Sequence, residues 1–150
     1  MDFEFKADIK RSVEDVFAFF RDLDQFAGRK GSIVPILENI TPGPVGLGTR
    51  YYEVVQIMPF ITGEVFSEIA EFVPNQLISY EYTALGMKGN LTYLFEASSD
   101  ATKVFQKQSF MPGGILKVLS PIIKAMFSRM AEKRLRSIKD LLENEGASKI

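Results

Sequence analysis

The side chains able to do chemistry here are narrowed first by two absences. The chain has no cysteine and no histidine. Without cysteine there is no disulfide, no thiolate nucleophile and no Cys-ligated zinc or iron–sulfur site. Without histidine the commonest metal ligand and the usual general base near neutral pH are missing. Proton transfer would fall to Asp, Glu, Lys, Arg, Tyr or Ser, and nothing in the pattern asks for a metal or another cofactor.

Strand parity says which of the remaining groups could converge. In 102–110, Lys103 and Lys107 share one parity and belong in water, so Val104, Gln106, Gln108 and Phe110 face inward. Two inward glutamines need hydrogen-bond partners. They either grip a polar group on a ligand or bond to each other, to water or to neighbouring tyrosines. In 77–83, Ile78, Tyr80 and Tyr82 oppose Ser79 and Glu81. In 89–97, Leu91, Tyr93 and Phe95 oppose Asn90, Thr92 and Glu96. The three tyrosines would form an aromatic wall with hydroxyl tips, serving as core or as a surface for a planar molecule. Strand 49–58 carries charge on both parities; Tyr52 and Gln56 are taken as its inward candidates.

Paired carboxylates could serve acid–base work, and Glu64, Glu68, Glu71 and Glu81 are available. Glu64 and Glu68, however, sit on the parity opposite Val65 and Ile69, which puts them in solvent and Val65 inside. The glycine-rich run from Gly43 to Gly48 invites comparison with a phosphate cradle, but such cradles open a helix and this one leads into a strand. A turn using glycines for positive φ is the simpler account, with a ligand entrance as the alternative.

These groups must be positioned by an ordered set of elements. Residues 3–9 alternate strictly and form a half-buried strand. Ser12 caps a helix over 13–21, with Asp15 in the capping-box position. A second helical turn over 23–27 is closed by Gly28. Strands follow at 33–40 (Pro35 marking an edge or bulge), 49–58 (ended by Pro59), 61–72, 77–83, 89–97 and 102–110, separated by turns rich in Pro, Gly, Asn and Ser. After Pro112-Gly113-Gly114 the hydrophobic period changes to 3.6. Ser120-Pro121 opens a long helix over 121–143, after a lead-in that includes Ile115, Leu116, Val118 and Leu119. Its apolar stripe is Ile122, Ile123, Met126, Phe127, Met130, Leu135, Ile138 and Leu142; its many lysines and arginines are read as a solvated face, with a membrane-surface role as the alternative. Gly146 marks its stop, with 146–150 frayed. The order predicts an α+β fold of about seven antiparallel strands curled around the terminal helix.

The totals agree with one domain over 1–150: hydrophobic residues are 46% and charged residues 25% of the chain. A net charge of −1 offers no excess of cations for a nucleic-acid backbone. The N-terminus lacks a signal-peptide core, which points to the cytoplasm. The apolar stretch 113–127 is broken by Lys117 and Lys124, so stable membrane insertion is not expected.

Four segments resemble the SRPBCC superfamily, also called START-like or Bet v 1-like, and within it the polyketide cyclase/dehydrase type. They are Ile9-Lys10-Arg11-Ser12-Val13-Glu14-Asp15-Val16-Phe17, with Arg11-Ser12 where proline is more usual; Gly43-Pro44-Val45-Gly46-Leu47-Gly48-Thr49-Arg50; Glu68 to Leu77 with Pro74 at its corner; and Thr102-Lys103-Val104 with the terminal 135–143. The resemblance implies a helix-grip fold with a cavity between sheet and helix, used across the superfamily for lipids, sterols, polyketides, quinones or hormones. It transfers no catalytic residue.

The reading that follows is a carrier of a small hydrophobic or aromatic molecule. Its cavity would be lined by Tyr52, Gln56, Val65, Ile78, Tyr80, Tyr82, Tyr93, Phe95, Gln106, Gln108, Phe110, Leu119, Ile123 and Met126. Two alternatives stand beside it. One is a cyclase- or dehydratase-like enzyme using Tyr or a carboxylate. The other is an accessory or membrane-peripheral domain, which an exposed apolar patch along 115–127 would support. The oligomeric state, a homodimer included, is left open.

Overall fold

The computed structural model describes residues 2–26, 36–58, 60–84, 86–112 and 117–148. Expectations at Ala27 and Gly28, over 31–35, at Pro59 and over 113–116 lie outside these residues. One seven-stranded sheet carries β1 (Asp2–Ile9), β2 (Ile36–Asn39), β3 (Arg50–Met58), β4 (Ile61–Val73), β5 (Leu77–Ala84), β6 (Met87–Ala97) and β7 (Thr102–Met111). Its order is β1-β7-β6-β5-β4-β3-β2, with every neighbouring pair antiparallel. Strands joined by short turns pair with their sequence neighbours, and β1 closes on β7 because the helical insertion separates it from β2.

Helix α1 (Val13–Arg21) is capped as expected: the Asp15 amide donates to the Ser12 hydroxyl at 3.2 Å. The reciprocal half of the capping box is absent, because the Asp15 carboxylate instead accepts from Arg11 at 2.9 Å. A 3₁₀ turn follows at Leu23–Phe26. Helix α2 (Ser120–Ser148) runs past Gly146, correcting the expected stop. One glycine near a helix end costs only about 1 kcal/mol relative to alanine, too little to end a helix by itself. Ser120 does not cap through its oxygen; its hydroxyl donates to the Lys117 carbonyl at 2.6 Å.

The alternating pattern of β1 becomes one buried face, with Phe5, Ala7 and Ile9 in the core. Glycine is required where φ turns positive in the glycine-rich loop, at Gly43 (95°) and Gly48 (85°). The Gly48 amide then donates to the Ile69 carbonyl at 2.9 Å, tying the loop to β4. A register shift between Ile69 and Glu71 lets both Ile69 and Phe72 face inward, where strict alternation would separate them.

Helix α2 covers the inner face in two parts. Ile123 and Phe127 pack with Met87, Phe110, Phe3 and Tyr82. Leu135, Ile138 and Leu142 join Ile9, Val16, Phe17, Phe20, Ile78, Tyr93, Phe95 and Val104. Each large side chain fully buried this way contributes roughly 1.5–3 kcal/mol. Arg11 donates to the Leu142 carbonyl at 2.8 Å, and Thr102 donates to the Arg11 carbonyl at 2.8 Å. Together they clamp the β1–α1 corner to both β7 and α2.

Candidate functional site on the inner face

Register turns sequence parity into a map of the inner face. One row across the strands reads Phe5, Gln106, Tyr93, Ile78, Phe72. The next reads Phe3, Gln108, Leu91, Tyr80, Ile69, and the third reads Phe110, Gly89, Tyr82, Ser67, Tyr51. The last reads Met87, Ala84, Val65, Glu53. The structure therefore brings Val65, Ile78, Tyr80, Tyr82, Tyr93, Phe95, Gln106, Gln108 and Phe110 to one face, and sets Ile123 of α2 buried and Met126 half-buried.

Two of the expected lining residues, Tyr52 and Leu119, are placed elsewhere. Tyr52 is on the outer face, its hydroxyl donating to Glu64 at 3.1 Å and its ring against Phe66. The Gln56 side chain lies outside those the structure describes, its backbone pairing with Thr62, while Tyr51, Glu53 and Val55 face inward. The parity of β3 is thus the reverse of that assumed, because its buried set includes an acid. Leu119 is exposed even though it stands four residues before Ile123 on the same stripe, because it lies in the turn that precedes α2. Of the four candidate carboxylates, Glu71 and Glu81 are exposed, Glu64 meets Tyr52, and Glu68 meets Arg50 at 3.1 Å. Among the described residues no cluster of acidic side chains is arranged to hold a metal ion.

The charged centre of the inner face was not among the expected residues. Arg134 Nη2 donates to Glu53 Oε1, with both side chains largely buried. Burial works to lower the pKa of Arg134, but Glu53, Tyr93 and Tyr80 outweigh it and hold the guanidinium above its ordinary value. The signal for Arg134 lay in its spacing, four residues after Met130 and four before Ile138, on the buried stripe. Glu53 alternates with buried Tyr51 and Val55.

Around this pair stand the tyrosines. The Tyr51 and Tyr80 rings are 6.1 Å apart and the Tyr80 and Tyr93 rings 6.4 Å apart, edge to face. Burial drives the Tyr80 phenol well above its usual range, pushes Tyr93 up to about 12, and also raises Tyr51 and Tyr82. At neutral pH these phenols are protonated, so they offer O–H donors and not bases. Tyr82 lies over its cross-strand partner Gly89, where an added Cβ would fall 2.6 Å from the phenol ring. Glycine thus makes the room in which the Tyr82 hydroxyl accepts from Gln108 Nε2 at 2.8 Å.

Two polar atoms remain unmatched among the described residues: the Tyr51 hydroxyl and Gln106 Oε1, both fully buried. Leaving such an atom unpaired costs about 1–3 kcal/mol, and native interiors leave few of them. A separate open groove of about 420 Å³ is lined by Val73, Gln76, Leu77, Leu94, Phe95, Glu96 and Phe105. Apart from Phe95 it contains none of these inner-face groups.

A curved antiparallel sheet gripping a long terminal helix, with polar groups buried between them, defines a helix-grip domain. The chain belongs to the polyketide cyclase/dehydrase and lipid transport family, whose model matches residues 1–143, and so to the SRPBCC superfamily that its motifs resemble. Among solved structures it is similar to the ZhuI aromatase/cyclase from Streptomyces sp. R1128, at TM-score 0.77 and 11% identity over 95% of this chain and 93% of that one. It is also similar to the protein TTHA0849 from Thermus thermophilus, at 0.75 and 17% over 95% and 97%. Ara h 8.0201 aligns at 0.70 and 16% over 95% and 97%. At such identities these likenesses establish the fold alone. No curated protein matches the sequence.

Proposed function

We propose that this protein binds a small, mostly apolar molecule bearing a polar group, held between the inner face of the sheet and α2. The carrying observation is the pair of buried, unpartnered atoms, Tyr51 hydroxyl and Gln106 Oε1, on the face that also holds Arg134 and Glu53. A ligand hydroxyl facing Gln106 Oε1, with a carbonyl or second hydroxyl facing Tyr51, would satisfy both. The surrounding Phe, Ile and Tyr side chains suit a flat hydrophobic body, in keeping with the polyketide and lipid chemistry named in the family description.

A second reading is cyclase-like catalysis. It needs a buried carboxylate beside the tyrosines, and Glu53 meets that requirement. In this reading the protonated phenols donate to charge developing on a substrate oxygen, while the interior shape orients a reactive chain. Glu53 is engaged by Arg134, which favours a positioning or anion-balancing part over free proton transfer.

Native mass spectrometry of protein purified from its own host tests the binding reading, followed by titration with an environment-sensitive apolar fluorophore. The expected result is a retained small molecule, or fluorophore binding weakened in Gln106→Leu. No retained mass, no fluorophore binding and a fully filled interior by crystallography would remove it. Turnover of a bound polyketide-like compound, lost in Glu53→Gln, would move the assignment to the enzyme reading.

A further inference from the structure

We propose that the end of the molecule where α2 begins docks onto an anionic lipid surface. Connectivity brings several chain segments to this end: the β3–β4 hairpin (58–61), the β5–β6 hairpin (84–87), the end of β7 at Met111, the start of β1 at Asp2, and the start of α2. Several of the most exposed apolar residues gather here too, although others, Leu47 among them, stand elsewhere. Val118 is 80% exposed, Ile122 65% and Met111 75%, with Leu119 beside them. Phe60 is fully exposed at the tip of the β3–β4 hairpin, at φ 69°, a backbone region that a bulky residue seldom occupies. Helical phase explains the split on α2 and corrects the expected place of Ile122 on the apolar stripe: burying Ile123 and Phe127 turns Ile122 outward.

The charge around these residues identifies the occupant. Lys117 and Lys124 flank the α2 patch, and Lys88 is paired in register with Met111. From 105 to 131 the chain carries Lys107, Lys117, Lys124 and Arg129 with no Asp or Glu, although the whole protein is at −1. The acids near this end stand apart from the patch: Asp2 (accepting from the Ser109 hydroxyl at 2.6 Å) and Glu4 (opposite Lys107 in register) are on β1, and Glu64 is on β4, while the charged residues at the start of α2 and in the β5–β6 hairpin are only lysines. Protruding apolar side chains ringed by lysines match the boundary between acyl chains and anionic headgroups. A second copy docked face to face would set lysine against lysine. No helix among the described residues is long and apolar enough to cross a membrane, so the contact is peripheral. The inference is independent of what the interior binds.

Vesicle cosedimentation tests it, with phosphatidylcholine vesicles prepared with and without phosphatidylserine. The expected result is binding to the anionic vesicles only, weakened by added salt. Lys117→Ala with Lys124→Ala should weaken it roughly thirtyfold. Val118→Asp with Ile122→Asp should abolish it while circular dichroism stays native, since both side chains are already in water. Absence of binding to either vesicle would overturn the proposal. So would equal binding to both, unchanged binding by the variants, or a dimer in sedimentation equilibrium that Val118→Asp and Ile122→Asp dissociate.

Discussion

Two neighbouring groups of side chains on the inner face solve the burial problem differently. Against α1, aromatic rings close on one another: Phe17 meets Phe72 at 5.5 Å and Phe95 at 5.3 Å, and Phe20 meets Tyr93 at 4.7 Å and Phe95 at 5.2 Å. Beside these rings, at Tyr51, Glu53 and Gln106, the same sheet buries a charge pair and two unpartnered polar atoms. The first arrangement maximises stability. The second accepts a cost that an apolar filling would avoid, because each buried polar atom without a partner loses its hydration.

Substitutions in each group should separate these roles. Phe20→Ala should cost about 3–5 kcal/mol in urea unfolding, because its cavity lies among rings that cannot collapse. A cost near zero would break the contrast. Glu53→Gln, which strands Arg134, should cost up to about 3–5 kcal/mol, whereas Glu53→Leu with Arg134→Met should be near neutral or stabilising. The double variant should nevertheless lose fluorophore binding; retained binding would show that the charge pair is structural only. Gly89→Ala should cost about 1–3 kcal/mol and displace the Tyr82 hydroxyl from Gln108. Smallest of all, Tyr51→Phe should change stability by about 1 kcal/mol or less, in the stabilising direction, since it deletes an unpartnered hydroxyl.

Alkaline titration sharpens the same comparison. An unfolded tyrosine ionises near pH 10, while Tyr93 in the fold is pushed up to about 12 by burial. Between these values the unfolded chain binds fewer protons than the native one. Stability should therefore be intact below about pH 10 and fall as pH rises toward 12. Tyrosinate absorbance and far-ultraviolet circular dichroism should change together; ionisation of all five tyrosines with the fold intact would contradict the burial of Tyr51, Tyr80, Tyr82 and Tyr93.

Much of the inner face was legible because strand parity has period two and its lysines mark the wet side. Lys103 and Lys107 oriented β7, and Glu81 and Glu96 oriented β5 and β6. The same rule failed on β3, where Arg50 and Glu53 lie on opposite parities and the acid is the buried one. Arg134 was counted with the solvated cations of its helix for the same reason: charge is the usual sign of exposure, and a partner on a distant strand cancels that sign.

By itself the sequence determined the elements and their order, because hydrophobic period, caps and turn residues act within a few positions along the chain. It also settled which chemistry was absent, since no fold can supply a missing histidine or cysteine. Tertiary structure alone decided that Glu53 and Arg134, 81 residues apart, meet inside the grip, and that Tyr51 and Gln106 are left without partners. Whether a polar atom is satisfied depends on what strand curvature and helix placement bring within about 3 Å of it, and no local pattern encodes that.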